Sequence, residues 1–349
     1  MMRLIIFTLL LSPAVLWAAD NSLVLLTWED YIDPEIVTEF EQQNDVTLRF
    51  VYYEDDDARD LIMANSNAIG FDLIVVDETM LESYQQQQWL YGMDTKKLPN
   101  LKFIEHPEDK QPLSDISFSV PYFWGTVGIL YYPDQFPKPI TSWLDYFHTP
   151  DNLKSKLLAL NTAQTMFGLG LKALGYSVNS TSTSELDKVT ALLKQHRPYV
   201  KAYRNVLFDE NEPLLKGELA AALVYNGDAL TLMEMNDQLR YVVPSEGSIF
   251  WYDSWAILER SPQKALAMKF LDFINQPEIN ARNAEFVSYA TPNKGAVKFL
   301  SEEHLSNLVS YPAPDVIQLL ELPKQLPPKV MKHIHSDFVS ITRSVNTSR

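Results

Sequence analysis

Short apolar runs alternate along this chain with stretches whose apolar positions recur at helical spacing, the pattern of a mostly parallel sheet covered by helices. Residues 23–28 predict a first strand. Asp33 then stands as an N-cap before Pro34, and Ile36, Val37 and Phe40 share one helical face. A strand over 46–53, a helix through Leu61 and Met63, and a strand over 71–77 complete a βαβαβ unit. The alternation continues with strands predicted at 120–124, 127–132, 156–160, 221–225, 240–243 and 249–257, and helices at 163–174, 184–195, 228–235 and 262–274. No repeat or flexible linker divides the chain, so its halves are expected to exchange strands rather than follow one another as beads. A proline-rich block after Tyr311 precedes a final helical stretch and is expected to wrap the outside of one half.

Ahead of this pattern, residues 1–18 carry Arg3 and an apolar run from Leu4 to Leu11 and end on the small residue Ala18, with Ala19 next. That is the layout of a secretory signal peptide, with cleavage expected near Ala18 and release into the periplasm. No later run approaches the roughly 20 consecutive apolar residues of a membrane helix, so a soluble mature protein is expected. A chain of 349 residues exceeds what one hydrophobic core usually serves, which predicts two domains. The absence of cysteine excludes disulfides and a lipid-bearing N-terminal cysteine. With 29 basic and 45 acidic residues the net charge is -16, which disfavours nucleic acid and anionic membrane surfaces and suits a cationic ligand, although acidity also serves solubility alone.

No Walker loop, G-x-G-x-x-G, G-x-S-x-G or H-E-x-x-H occurs, and no nucleophile–base pair points to an enzyme; neither cofactor nor metal is expected. His333 and His335 form a close pair without a third ligand nearby and read as solvated surface. The run Asp55-Asp56-Asp57 reads as a helix cap or a solvated face. Aromatic and acidic residues instead gather at strand ends: Trp28-Glu29-Asp30-Tyr31, Asp77-Glu78, Tyr225-Asn226-Gly227-Asp228 and Trp251-Tyr252-Asp253-Ser254-Trp255. Ligands of open α/β sheets sit beyond the carboxyl ends of the strands. Each aromatic alone is explained by a half-buried core position; the recurrence of acid beside aromatic at strand ends is not. Carboxylates pair with ammonium groups while aromatic faces cover methylenes and attract the charge, so such a cleft suits a flexible aliphatic cation.

These residues resemble the spermidine/putrescine-binding proteins of bacterial polyamine importers. The likeness runs from about Leu23 to beyond Tyr311 through Thr27-Trp28-Glu29-Asp30-Tyr31, Phe71-Asp72-Leu73-Ile74-Val75, Val120-Pro121-Tyr122-Phe123-Trp124-Gly125, Tyr225-Asn226-Gly227, Gly247-Ser248-Ile249-Phe250-Trp251-Tyr252-Asp253-Ser254 and Tyr289-Ala290-Thr291-Pro292-Asn293. The resemblance implies the type II, two-lobed α/β periplasmic binding protein fold, with the ligand clamped at the hinge. Lobe 1 would comprise 19–126 plus 252–297, and lobe 2 would comprise 127–251 plus 298–349. It also implies that Trp28, Tyr31, Trp251 and Tyr289 are pocket aromatics, that Asp253 meets an inner amine, that Asp30 lies near an end amine, and that Tyr225 replaces a frequent tryptophan. Two positions depart from the family. Thr162 and Thr165 stand where spermidine-preferring relatives carry acids, and Asp77 stands where a small hydroxyl residue is common, as though charge had been relocated. Gln325 is the candidate for a polar residue that the family takes from its tail.

The same pocket serves two readouts. The protein, expected to be monomeric, closes on a polyamine of the putrescine, spermidine and norspermidine class and delivers it to an inner-membrane ABC permease; alternatively it docks on a membrane-bound sensory receptor, as norspermidine-sensing relatives do. A periplasmic hydrolase or lyase is the remaining alternative.

Overall fold

The computed structural model describes residues 21–105 and 117–343, so the expected signal segment lies outside the described residues. The described strands are β1 (Ser22–Thr27), β2 (Thr47–Tyr52), β3 (Leu73–Asp77), β4 (Val120–Tyr131), β5 (Leu157–Ala159), β6 (Val200–Tyr203), β7 (Ala221–Tyr225), β8 (Arg240–Val242) and β9 (Phe250–Ile257). They join in the order β2-β1-β3-β9-β4-β7-β5-β6, with β8 also on β4. On one side β1 runs parallel to β2 and β3; on the other β5 runs parallel to β6 and β7. The centre is antiparallel, with β9 between β3 and β4. The α/β expectation holds, and the two parallel sets are the units that the βα alternation announced.

Each set has its own core. Leu23, Leu25, Val75, Trp255, Phe270 and Ile274 pack on the β1–β3 side, and Ile129, Leu157, Phe167, Leu193 and Leu223 on the other. Local chemistry starts the helices as the sequence indicated. Asp33 Oδ1 accepts from Glu35 N at 2.8 Å ahead of Pro34–Asn44, and Asp55 Oδ1 accepts from Ala58 N at 2.7 Å ahead of Asp56–Ser66.

Two features differ from expectation. The strands predicted at 120–124 and 127–132 are one continuous strand, β4, buried along its whole length. The small and polar pair Gly125-Thr126 interrupts the apolar pattern without making a turn. A Cβ at Gly125 would collide with Asn226 and Trp251, and Thr126 N donates to Asn226 Oδ1 at 3.0 Å. The second difference concerns 298–349, expected in the second unit. Leu300, Leu305 and Tyr311 pack with the β1–β3 core, whereas Ile334, Phe338 and Ile341 of the helix Pro328–Thr342 pack with the other. Between them Phe250 N donates to Glu321 O at 2.9 Å and Glu321 N donates to Ser248 O at 3.0 Å, a further crossing from one side to the other. Among the described residues no helix is long and apolar enough to cross a membrane.

Candidate functional site

The ends of β1, β3 and β7 converge on β9 where the two units meet. Trp251 to Trp255, expected at a strand end, instead lie inside β9, because this strand runs on through the join to pair with both β3 and β4. Tyr31 follows β1 and is buried. Asn283, from the helix Pro277–Val287, fixes it: Asn283 Oδ1 accepts from Asp33 N at 2.7 Å and Nδ2 donates to Tyr31 O at 3.2 Å. The Tyr31 ring then lies between Tyr122, Phe123 and Tyr289, at 5.7, 5.8 and 6.3 Å between centroids. Its hydroxyl donates to Asp253 Oδ2 at 2.9 Å. Asp253 is 8% exposed. Burial pushes its carboxyl up to about 6, opposed by the Tyr31 bond; Asp77 raises it further, while Arg59 and a hydrogen bond from Trp28 lower it.

A second acid stands across the join, where a tyrosine from the core of the β1–β3 unit reaches it. Asp228 opens the helix Asn226–Met235, and its Oδ1 accepts from Tyr289 OH at 3.1 Å. Burial pushes this carboxyl up to about 6 as well, opposed by the Tyr289 bond. Trp251 stands edge-on to Tyr289 at 4.9 Å and 90°, and Tyr225 edge-on to Trp251 at 5.8 Å and 88°. A Cβ at Gly227 would strike the Tyr289 ring, so glycine is what allows that ring to reach Asp228.

The structure thus brings Trp28, Tyr31, Tyr225, Trp251, Asp253 and Tyr289 together. Asp77 lies opposite Asp253 in the β3–β9 register, but its carboxylate is engaged: Oδ2 sits 2.7 Å from Arg59 Nη2, and Oδ1 accepts from Thr79 N at 2.9 Å and from the Thr79 hydroxyl. Burial alone would raise Asp77; the Arg59 guanidinium and the Thr79 bonds hold it below the usual carboxylate range. The charge that sequence comparison suggested had been relocated is therefore already balanced inside the protein. Glu29 and Asp30, between Trp28 and Tyr31 in the chain, are exposed, Asp30 with φ 53. Thr162 and Thr165 are half-buried at the start of the helix Ala163–Ala173, where Thr162 makes no side-chain capping bond.

The Asp run is split by the fold. Asp55 caps, Asp57 is exposed, and Asp56 pairs with Arg59 Nη1 at 2.9 Å while keeping about 30% of its side chain accessible. Burial raises Asp56 against the opposing Arg59 charge, and Asp77 and Asp253 raise it further. Asp228, Asn283 and Arg59 were not selected from sequence as site residues; only Asp228, beside Tyr225 in an acid–aromatic group, carried a signal. Gln325 lines a space of about 900 Å³ between the units, with Thr79, Gln85, Asn179 and Glu321. Another concavity, about 600 Å³, lies between the helix Pro34–Asn44 and Lys264–Ile274, away from the acid–aromatic cluster.

Two parallel units joined by crossing strands, with acids and rings facing across the join, define a solute-binding protein. The chain belongs to the bacterial extracellular solute-binding protein family, whose model matches residues 35–309. It is 29% identical to the spermidine/putrescine-binding periplasmic protein of Salmonella typhimurium over 307 residues, covering 87% of each chain. It is 28% identical to the norspermidine sensor of Vibrio cholerae over 313 residues, covering 89% of this chain and 86% of the sensor. A solved spermidine/putrescine ABC transporter substrate-binding protein of Streptococcus pneumoniae is 28% identical, with a TM-score of 0.78 over 93% of this chain and 99% of that one. The two-lobed fold expected from sequence is thereby established, and the family is one of binding proteins rather than enzymes.

Proposed function

We propose that this chain is a periplasmic polyamine-binding protein that closes on a putrescine-, spermidine- or norspermidine-class ligand and delivers it to an inner-membrane ABC importer. One observation carries the reading: Asp253 with Tyr31 and Trp28 on one lobe faces Asp228 on the other, and Tyr289 of the first lobe reaches across to Asp228. An aliphatic cation bridging them would form a charge-assisted bond at each end, each worth about 1.5 to 3 kcal/mol. Rings along its methylenes add about 0.5 to 2 kcal/mol where a cation lies over an indole. Because the acids belong to different lobes, the ligand favours the closed arrangement by its differential affinity for it.

The polyamines that the relatives bind or sense support the ligand class. We take lobe 1 as 19–126 plus 252–297, extended to Tyr311 by the packing of Leu300 and Leu305, and lobe 2 as 127–251 plus the tail. Export with loss of residues 1–18, a monomeric state and binding without chemistry complete the proposal. The sensor relative favours one second reading, in which the liganded protein docks on a membrane receptor and reports the polyamine. Both readings share the pocket. Calorimetry and thermal shift of the mature protein with putrescine, cadaverine, spermidine, norspermidine and spermine test it, with amino acids and maltose as controls. Saturable binding of a polyamine is expected; a folded, ligand-free protein indifferent to all of them would overturn the proposal.

A further inference from the structure

Beside Asp253 the cleft wall holds a cation of the protein's own. Arg59, on the helix Asp56–Ser66, has a fully buried side chain, 0% exposed. Its guanidinium is held on three sides. Nη1 donates to Asp56 at 2.9 Å, Nε and Nη2 donate to Asp60 Oδ1 at 3.0 and 2.9 Å, and Nη2 lies 2.7 Å from Asp77. The rings of Tyr53 and Tyr84 stand 5.8 and 6.0 Å away, and Tyr84 OH donates to Asp60 at 2.6 Å. Carboxylates around a cation with aromatic rings beside it repeat the chemistry of the two ligand acids, here satisfied by a side chain.

This cage adjoins the ligand site. Asp77 is the direct β3–β9 partner of Asp253, and paired residues of antiparallel strands present their side chains on one face with Cα atoms about 4.5 to 5.5 Å apart. Trp28 packs on Tyr53 at 4.4 Å, and Tyr53 is the ring beside Arg59. An arginine side chain stays charged across the accessible pH range, so the cage is filled under all conditions in which the protein is folded. An ammonium directed past Asp253 would meet acids that already share a guanidinium and would face that guanidinium's repulsion.

Resting on the polyamine reading of the cleft, we propose that Arg59 is a resident cation that closes the end beyond Asp253, so that the ligand is recognised as a short dication spanning Asp253 and Asp228. The further ammonium groups of longer polyamines then gain no partner. Arg59 is a specificity residue that acts through occupancy of the acids and does not itself hold the ligand.

The test is calorimetry of diaminobutane, diaminopentane, spermidine, norspermidine and spermine against the unaltered protein, Arg59→Met, and Arg59→Met combined with Asp77→Ser. Serine keeps an N-cap for the helix Glu78–Gln86 and removes the acid that Arg59 would leave unpaired. In the unaltered protein no triamine or tetraamine is expected to bind more tightly than the best diamine. Arg59→Met is expected to improve the longer amines relative to that diamine by about tenfold or more, and the double variant by less. Any triamine or tetraamine binding the unaltered protein more tightly than the best diamine would overturn the proposal, as would an unchanged ranking in either folded variant. Loss of all amine binding by the unaltered protein would instead overturn the functional reading, and this inference with it.

Discussion

Asp253 and Asp228 combine burial with a bond from a tyrosine hydroxyl each, and burial is the larger influence on how they answer to pH. Their folded values of about 6 lie above the ordinary 3.8, so over that interval the folded chain holds protons that the unfolded chain has released. Their contribution to ligand-free stability therefore falls as pH rises through the interval. A cation binds the charged forms, and its effect has the opposite sign. The thermal shift produced by a saturating polyamine is expected to be larger at about pH 7.5 than at about pH 5, and Asp253→Asn with Asp228→Asn should flatten that difference. Asp253→Ala and Trp251→Ala are each expected to abolish tight binding while leaving the far-ultraviolet circular dichroism unchanged. A loss of about tenfold to a hundredfold corresponds to one charge-assisted bond for Asp253. Unchanged affinity in both would place the site elsewhere. Trp28, Tyr31, Tyr225, Trp251 and Asp253 drew notice because each stands in a group of acids and rings beside an apolar run, whereas Tyr289 came only from the family resemblance. Arg59 and Asn283 were not, since what they do is decided by Asp77 and by Tyr31, partners brought near only by folding.

Among the elements, β4 and β9 carry the join, and the turn from β7 into the helix Asn226–Met235 fits against it. Asn226 is fully buried there; its Oδ1 takes Thr126 N, and its Nδ2 donates to Val309 O at 3.1 Å, in the segment that packs with lobe 1. Asn226→Ala should destabilise the fold by about 1 to 3 kcal/mol in chemical denaturation, because Thr126 N is left without its acceptor. Gly227→Ala is a sharper probe of function. The added methyl must displace Tyr289 from Asp228, so polyamine affinity should fall by about tenfold or more in calorimetry, with overpacking costing about 1 to 3 kcal/mol of stability. Retained affinity would show that the Tyr289–Asp228 contact is dispensable. Element types were mostly legible from periodicity, and the exceptions have physical causes. The helix Pro277–Val287 buries Asn280, Ala281, Asn283 and Ala284 beside Ile279, so no stripe of large apolar residues announces it. The break within β4 reflects a close approach to Asn226 and Trp251, which no local pattern encodes.

Across the whole molecule the lobes meet at the cleft rim as well as at its floor. Asn205 Nδ2 donates to Glu54 O at 3.0 Å, and His335 of the last helix lies close enough to oppose the rise that burial gives Asp57. The Asn205–Glu54 bond at the rim is exposed, which suits a closure decided by the ligand. Small-angle scattering should show a smaller radius of gyration with polyamine than without, and no change would exclude ligand-driven hinge closure. The chain's passage between lobes was only partly legible, because the segment after Ala296 first packs with one core and then crosses to the other.

The central place of β9 also bears on when the protein can become folded. β3, made early, has β1 on one side and on the other a strand that enters the chain only at Phe250. Until that strand arrives, Val75 and Leu73 have no partners at Trp255 and Ile257, and the first lobe lacks its inner edge. Pairings so distant in sequence form slowly. For the export proposed above, a sheet whose keystone is the last of the described strands keeps the nascent chain pliable until about seven tenths of it has been made.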